Sequence, residues 1–156
     1  FVDVPYKLSF EPGRYLVANA GILVTTVITI KNNGGINYLI TDAGMHTLIR
    51  PALYKAHHEI ESVSGNTEKP TDYTIAGPIC ESSDIFGKNI NLPQQQIGNL
   101  LIIKDTGAYG KVMASNYNSR GLPKEILVKD NNFFVIHKPL SIKEYIDQDR
   151  IPDWLV

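Results

Sequence analysis

Four short stretches of the sequence place side chains where they can do chemistry. Glu11-Pro12-Gly13-Arg14 presents one acid and one guanidinium around a rigid proline and a glycine. Proline fixes φ near about −65° and glycine lets the backbone come close to a ligand, so both charges can be offered at one strand end. The planar fork of Arg14 suits a phosphate or a carboxylate. The plainer alternative is a surface turn with a solvated ion pair. Further on, Pro51 can open a short helical turn within Leu48 to Ala56, with Arg50 just before it and Tyr54 three residues after it. Those two side chains can converge on one ligand, or they make an ordinary amphipathic turn.

Cys80 next to Glu81 is the most reactive pairing. Burial and a neighbouring carboxylate both disfavour thiolate, so the thiol is expected to stay protonated and to suit proton donation better than nucleophilic attack. The alternative is a small buried hydrophobe. Tyr109, in Asp105-Thr106-Gly107-Ala108-Tyr109-Gly110, is bracketed by glycines that let a ring be held close to a ligand. His46, His57, His58 and His137 lack the spacing and cysteine company of a zinc site and read as surface or packing residues, so no metal is expected. The segment from Gly107 to Gly110 lacks the ending of a nucleotide-phosphate loop, and Ser82-Ser83-Asp84 lacks elbow glycines, so serine hydrolase chemistry is not expected.

The elements that must position these groups are mostly strands. Phe1 to Phe10 alternates like a short strand, and Val4 to Phe10, without neighbours, would be an exposed edge inviting disorder or association. Ile22 to Lys31 is dense in β-branched residues, and with Asn32-Asn33-Gly34-Gly35 and Ile36 to Thr41 it spells a hairpin whose turn needs positive φ. His57 to Val63 alternates weakly, Ser64 to Thr71 is a polar loop, and Tyr73 to Cys80 reads as a strand bent at Gly77-Pro78. The bend delivers Cys80 to Asp84 into a loop. Asn89 to Asn99 reads as a polar stretch before the strand Leu100 to Ile103. Lys124 to Val128 and Phe133 to His137 flank a second hairpin turn, and Ser141 with Glu144 forms a capping box for a helix of about Ile142 to Gln148. Six or seven short strands and a terminal helix predict a mainly β fold, an antiparallel sandwich or irregular Greek-key barrel.

With 156 residues, of which 43% are hydrophobic and 20% charged, the chain has the size and composition of one compact domain with a core. A net charge of −1 without a basic run argues against nucleic-acid binding. The single cysteine points to a reducing, cytoplasmic setting. No apolar run is long enough to span a membrane, and the opening residues carry no signal peptide and read as the middle of a longer protein.

Taken together and in order, EPGR at 11 to 14, DAGM and RPALY at 42 to 54, GPICESSD at 77 to 84 and DTGAY at 105 to 109 resemble the C-terminal part of the diaminopimelate decarboxylases, pyridoxal-phosphate enzymes related to ornithine decarboxylase and alanine racemase. The resemblance implies a (β/α)8 barrel, mostly absent here, followed by a β domain. Residues 1–14 would then be the remnant of the barrel, its last strand, and 15–156 the β domain with its terminal helix. It implies loss of carbon dioxide from meso-diaminopimelate to give L-lysine, the last step of lysine biosynthesis. Glu11 is expected at the pyridine nitrogen of pyridoxal 5'-phosphate, Gly13 by its phosphate, and Tyr109 against cofactor and substrate. Arg14 is expected to bind both cofactor and substrate, and Arg50 and Tyr54 are expected to hold the substrate. Cys80 is expected as proton donor and Glu81 as ligand of the distal ammonium, both reaching into the partner's site in a homodimer. Glu81, where ornithine-type relatives typically carry Asp, and Arg50, a cation for the second carboxylate, favour this substrate. The Schiff-base lysine lies upstream in the family, so the chain by itself is expected to be inactive and to hold no cofactor covalently. Two other readings stand beside this one: a decarboxylase of a related diamino acid or carboxylated polyamine, and a non-catalytic β module for binding or dimerisation.

Overall fold

β1 (Leu23–Asn33) is the spine of the molecule. Its first half pairs antiparallel with β6 (Leu100–Ile103), from Leu23↔Ile103 to Thr26↔Leu100. Its second half pairs antiparallel with β2 (Ile36–Thr41), from Val27↔Thr41 to Asn33↔Ile36, with a register shift between Val27 and Thr29. One β-branched run thus serves two neighbours, and the turn that closes the hairpin has the expected positive φ at Gly34 and Gly35, 59° and 81°. The computed structural model describes residues 5–63 and 69–155, so the expectations for Phe1 to Val4 and for 64–68 of the polar loop lie outside the described residues.

The main sheet has six strands in the order β3 (Ile60–Ser62), β6, β1, β2, β4 (Thr71–Ala76), β5 (Ile85–Leu92). Its two edges approach each other: a Cβ added at Gly87 in β5 would lie 3.8 Å from Cδ1 of Ile60 in β3. The result is the irregular, nearly closed barrel rather than a two-layer sandwich. Val27, Leu39, Ile75, Leu101 and Ile103 are fully buried inside it, contributed by alternate positions of four strands. Each such side chain contributes about 1.5–3 kcal/mol of burial free energy.

Three features differ from the sequence reading. β2 and β4 pair in parallel, Asn37↔Tyr73 to Ile40↔Ala76, where an all-antiparallel sheet was expected. The connection between them, through helix α1 (Arg50–Tyr54) and β3, is long enough to act as the crossover that parallel strands require. β5 occupies ground that reads as loop and polar stretch. Two register shifts against β4 and the positive φ of Asn89, 54°, break the alternation there, so no period-two pattern is visible in the sequence. β4 ends at Ala76, before the Gly77-Pro78 bend.

Residues 5–13 form no strand, and Tyr6, Leu8 and Phe10 are exposed. Strand geometry is held by ladder hydrogen bonds, and this stretch has no neighbour to supply them. β7 (Glu125–Lys129) and β8 (Asn132–His137) form the second hairpin, separate from the main sheet and exposed on both faces. Helix α2 (Ile142–Ile146) begins at the Ser141/Glu144 capping box. Among the described residues no helix is long and apolar enough to cross a membrane.

Candidate functional site

Arg50, Tyr54 and Tyr109 meet. The Arg50 guanidinium carbon lies 5.3 Å from the centroid of the Tyr54 ring and 5.5 Å from that of Tyr109. Each contact is worth about 0.5–2 kcal/mol, depending on how far water is excluded. The first follows from the helical turn, in which residues four apart share a face. Pro51 at its start and Lys55 in the left-handed conformation at its end confine α1 to little more than one turn. Buried Arg50 Nε has no hydrogen-bond partner among the described residues.

Tyr109 is brought there by the loop that follows β6. β6 ends at Ile103, and the loop after it docks on the short 3-10 segments Arg14–Leu16 and Ala18–Ala20. Thr106 N–H donates to Gly21 O and Gly107 N–H to Ala18 O, both at 2.9 Å. Gly107 permits this approach, since a Cβ there would stand 2.0 Å from Val17 O. Tyr109 itself has φ 57°, an unusual conformation for a bulky residue that costs about 1–3 kcal/mol and is held by the packing around it. Its hydroxyl reaches Gly13: a Cβ at Gly13 would lie 2.7 Å from Tyr109 Oη. The EPGR stretch, the strand exit and the RPALY turn therefore form one cluster. Arg14 lines a shallow groove with Tyr15, Asn19 and Asp105, and it makes no ion pair with Glu11 among the described residues. Glu11 and Arg14 are both exposed, as a surface turn would have them, but they do not pair with each other among the described residues.

The loop before α1 is held rigidly. Asp42 Oδ1 accepts from the Thr25 hydroxyl at 2.6 Å and from Thr26 N–H at 2.8 Å. Burial pushes the Asp42 carboxyl up, but these bonds outweigh it and hold the group below its ordinary value. His46 is 3% exposed. Burial, reinforced by the positive charge of Arg120 and opposed by Asp42, lowers its imidazole to about 4. His46 and His58 are core residues and His57 and His137 lie at the surface, as the packing reading expects; no cluster of three metal-ligating side chains occurs among the described residues.

Cys80 and Glu81 sit on the turn after β4, both exposed. Cys80 is therefore not the small buried hydrophobe of the alternative reading: β4 stops four residues earlier, and the turn carries the side chain out of the sheet. Among the described residues neither side chain makes a hydrogen bond, ion pair or ring contact with Arg14, Arg50, Tyr54 or Tyr109. The turn is closed by Gly77 N–H to Asp84 O and Asp84 N–H to Glu81 O, both at 3.0 Å. Asp84, a plain loop residue by its local sequence, is buried beneath it. Burial pushes its carboxyl up, against hydrogen bonds from Ile79 and Met45 and the charge of Arg120. No local pattern in the sequence announces that role, because its partners lie on separate loops.

Residues 14–107 match the family model described as the C-terminal sheet domain of pyridoxal-dependent decarboxylases. The diaminopimelate decarboxylase of Buchnera aphidicola subsp. Baizongia pistaciae is 40% identical over 94% of this chain and 38% of its own length. A crystal structure of diaminopimelate decarboxylase from M. jannaschii with L-lysine superposes with a TM-score of 0.90 at 40% identity, covering 94% of this chain and 33% of that one. The lysine/ornithine decarboxylase of Vibrio vulnificus, complexed with cadaverine, gives 0.63 at 28% identity over 69% of this chain and 30% of its own. The chain thus spans little more than a third of the curated relative it matches.

Proposed function

The chain belongs to the pyridoxal-dependent decarboxylases, whose C-terminal sheet domain it carries, and from that membership we propose that it is the C-terminal part of an enzyme converting meso-diaminopimelate to L-lysine. The observation that carries this reading is the meeting of Gly13, Arg50, Tyr54 and Tyr109 from three separate stretches. The higher identity and coverage of the diaminopimelate enzymes favour that substrate over the diamino acids of the sister enzyme.

The residues present fit pyridoxal phosphate. Gly13 leaves open the space a Cβ would fill against Tyr109, and beside it the buried, unpartnered Arg50 Nε offers a donor to the substrate's carboxylate. Bound there, the cofactor supplies an electron sink for the charge left when carbon dioxide departs. Glu11 keeps a proton on the pyridine nitrogen, and Gly13 gives the phosphate room. Arg14, Arg50, Tyr54 and Tyr109 orient the substrate, Arg50 taking the second carboxylate. Contact with two rings limits the freedom of the guanidinium, so the grip is preorganised. Cys80 holds the proton delivered to the decarboxylated carbon and Glu81 takes the distal ammonium, both in the site of a second copy. Their outward exposure and the apolar side chains of the β7–β8 hairpin support a homodimer. Residues 1–14 close the barrel domain, consistent with the family match beginning at Arg14 and with the unpaired state of 5–13. A cytoplasmic setting keeps exposed Cys80 a free thiol.

The test uses the whole protein, barrel included, loaded with pyridoxal phosphate. Lysine and carbon dioxide from meso-diaminopimelate, at a kcat/KM on the order of a hundredfold above ornithine or arginine, are expected. Equal turnover of ornithine or arginine would move the protein to a sister activity. No decarboxylation of any of them would leave the non-catalytic module as the reading.

A further inference from the structure

Asp84 is 3% exposed, and both its carboxylate oxygens are used. Oδ1 accepts from Met45 N–H at 2.6 Å and Oδ2 from Ile79 N–H at 2.8 Å. Met45 belongs to the loop that leads into α1 and Arg50, whereas Ile79 directly precedes Cys80 and Glu81. Two glycines pack against the carboxylate. A Cβ at Gly77 would lie 2.3 and 2.4 Å from its oxygens, and one at Gly44 would lie 2.8 and 3.0 Å from them. The loops are also close to each other here, since a Cβ at Gly77 would lie 2.4 Å from Gly44 Cα and one at Gly44 would lie 2.7 Å from Pro78 Cδ.

The geometry points to Asp84 as a positioning residue: its buried carboxylate ties the loop of Cys80 and Glu81 to the loop that sets Arg50. The kinetic consequence rests on the decarboxylase reading, while the mechanical tie does not. On that reading Arg50 serves its own site and Cys80 the neighbouring copy's, so the tie also fixes the proton donor of one site relative to the anion grip of the other. Charge-assisted hydrogen bonds to backbone N–H groups are among the stronger ones, and this carboxylate makes two in opposite directions.

Asp84→Asn in the loaded whole enzyme tests this, because the amide nitrogen cannot accept and one of the two N–H groups loses its partner. Alkylation of Cys80 by iodoacetamide, followed on its peptide by mass spectrometry, is expected to quicken about tenfold as the turn loosens. The kcat for meso-diaminopimelate is expected to fall about tenfold or more because the proton donor loosens, and KM is expected to rise with it because Glu81 sits on the same turn. Gly77→Ala should reproduce both effects, and the double variant should be no worse than either single one. A folded Asp84→Asn enzyme with unchanged alkylation and kcat overturns the proposal, as does a loss confined to KM. If Asp84→Asn does not fold, amide exchange of the wild type decides. Equal protection at Met45 and Ile79 supports the tie, and protection differing more than tenfold refutes it. If the wild type decarboxylates nothing, the functional reading fails while alkylation and exchange still judge the tie.

Discussion

Gly107→Ala probes how the two sides of the site are held together. The added Cβ would stand 2.0 Å from Val17 O, 2.8 Å from Gly21 N and 3.1 Å from Ala18 O. All three are backbone atoms, so no rotamer change can relieve the clash and the loop must lift away from 14–21. Lifting breaks the Thr106 to Gly21 and Gly107 to Ala18 hydrogen bonds. At about 1 kcal/mol net each, the local opening equilibrium shifts by about 2 kcal/mol, or about thirtyfold. Amide exchange in the whole protein reads this directly: positions 106 and 107 should exchange about thirtyfold faster, while amides in β1 and β2 keep their rates. Tyr109 moves with the loop, so kcat/KM should fall about a hundredfold, the usual effect of a displacement near 1 Å at a site. Gly34→Ala is the control, because nothing lies within 4 Å of its added Cβ and only the turn's positive φ is strained. Unchanged exchange at 106 and 107 with full activity would refute the argument that this glycine docks the two segments.

Arg50→Lys should lower kcat/KM for meso-diaminopimelate by about tenfold to a hundredfold while hardly affecting ornithine, because a lysine ammonium cannot stack as a plane between Tyr54 and Tyr109 or grip a carboxylate with two parallel bonds; a competition assay of the two substrates checks this. His46 sets an acid limit on stability. Its folded pKa of about 4 lies below its ordinary 6.5, so the unfolded chain takes up a proton that the fold refuses. The associated stability is complete above pH 6.5 and is lost as pH falls toward 4, by about 3 kcal/mol. Urea melts across that range should show the loss in the wild type and a flatter profile in His46→Gln.

Much of the local structure was legible because its causes are local. The Ile22 to Lys31 and Ile36 to Thr41 hairpin follows from β-branched density and two glycines at a turn, α1 from Pro51, and the start of α2 from Ser141 and Glu144. The apolar run from Tyr73 favours burial of Cys80 as an alternative, but the glycine-proline bend ends the strand first and leaves Cys80 exposed. β5 was missed because its bulges erase the alternation that marks a strand.

Of the site, the sequence determined which side chains exist to do chemistry and, through helical spacing, that Arg50 and Tyr54 share a face. Only the tertiary structure decided that Tyr109 stacks on the same guanidinium, that Gly13 faces its hydroxyl, and that Asp84 joins two loops 39 residues apart at their hydrogen bond. The reason is physical. Propensity, capping and turn chemistry act over a few neighbouring residues, whereas the fit of a carboxylate between Gly44 and Gly77 is a steric fact that appears only once the barrel has closed and its connections have packed.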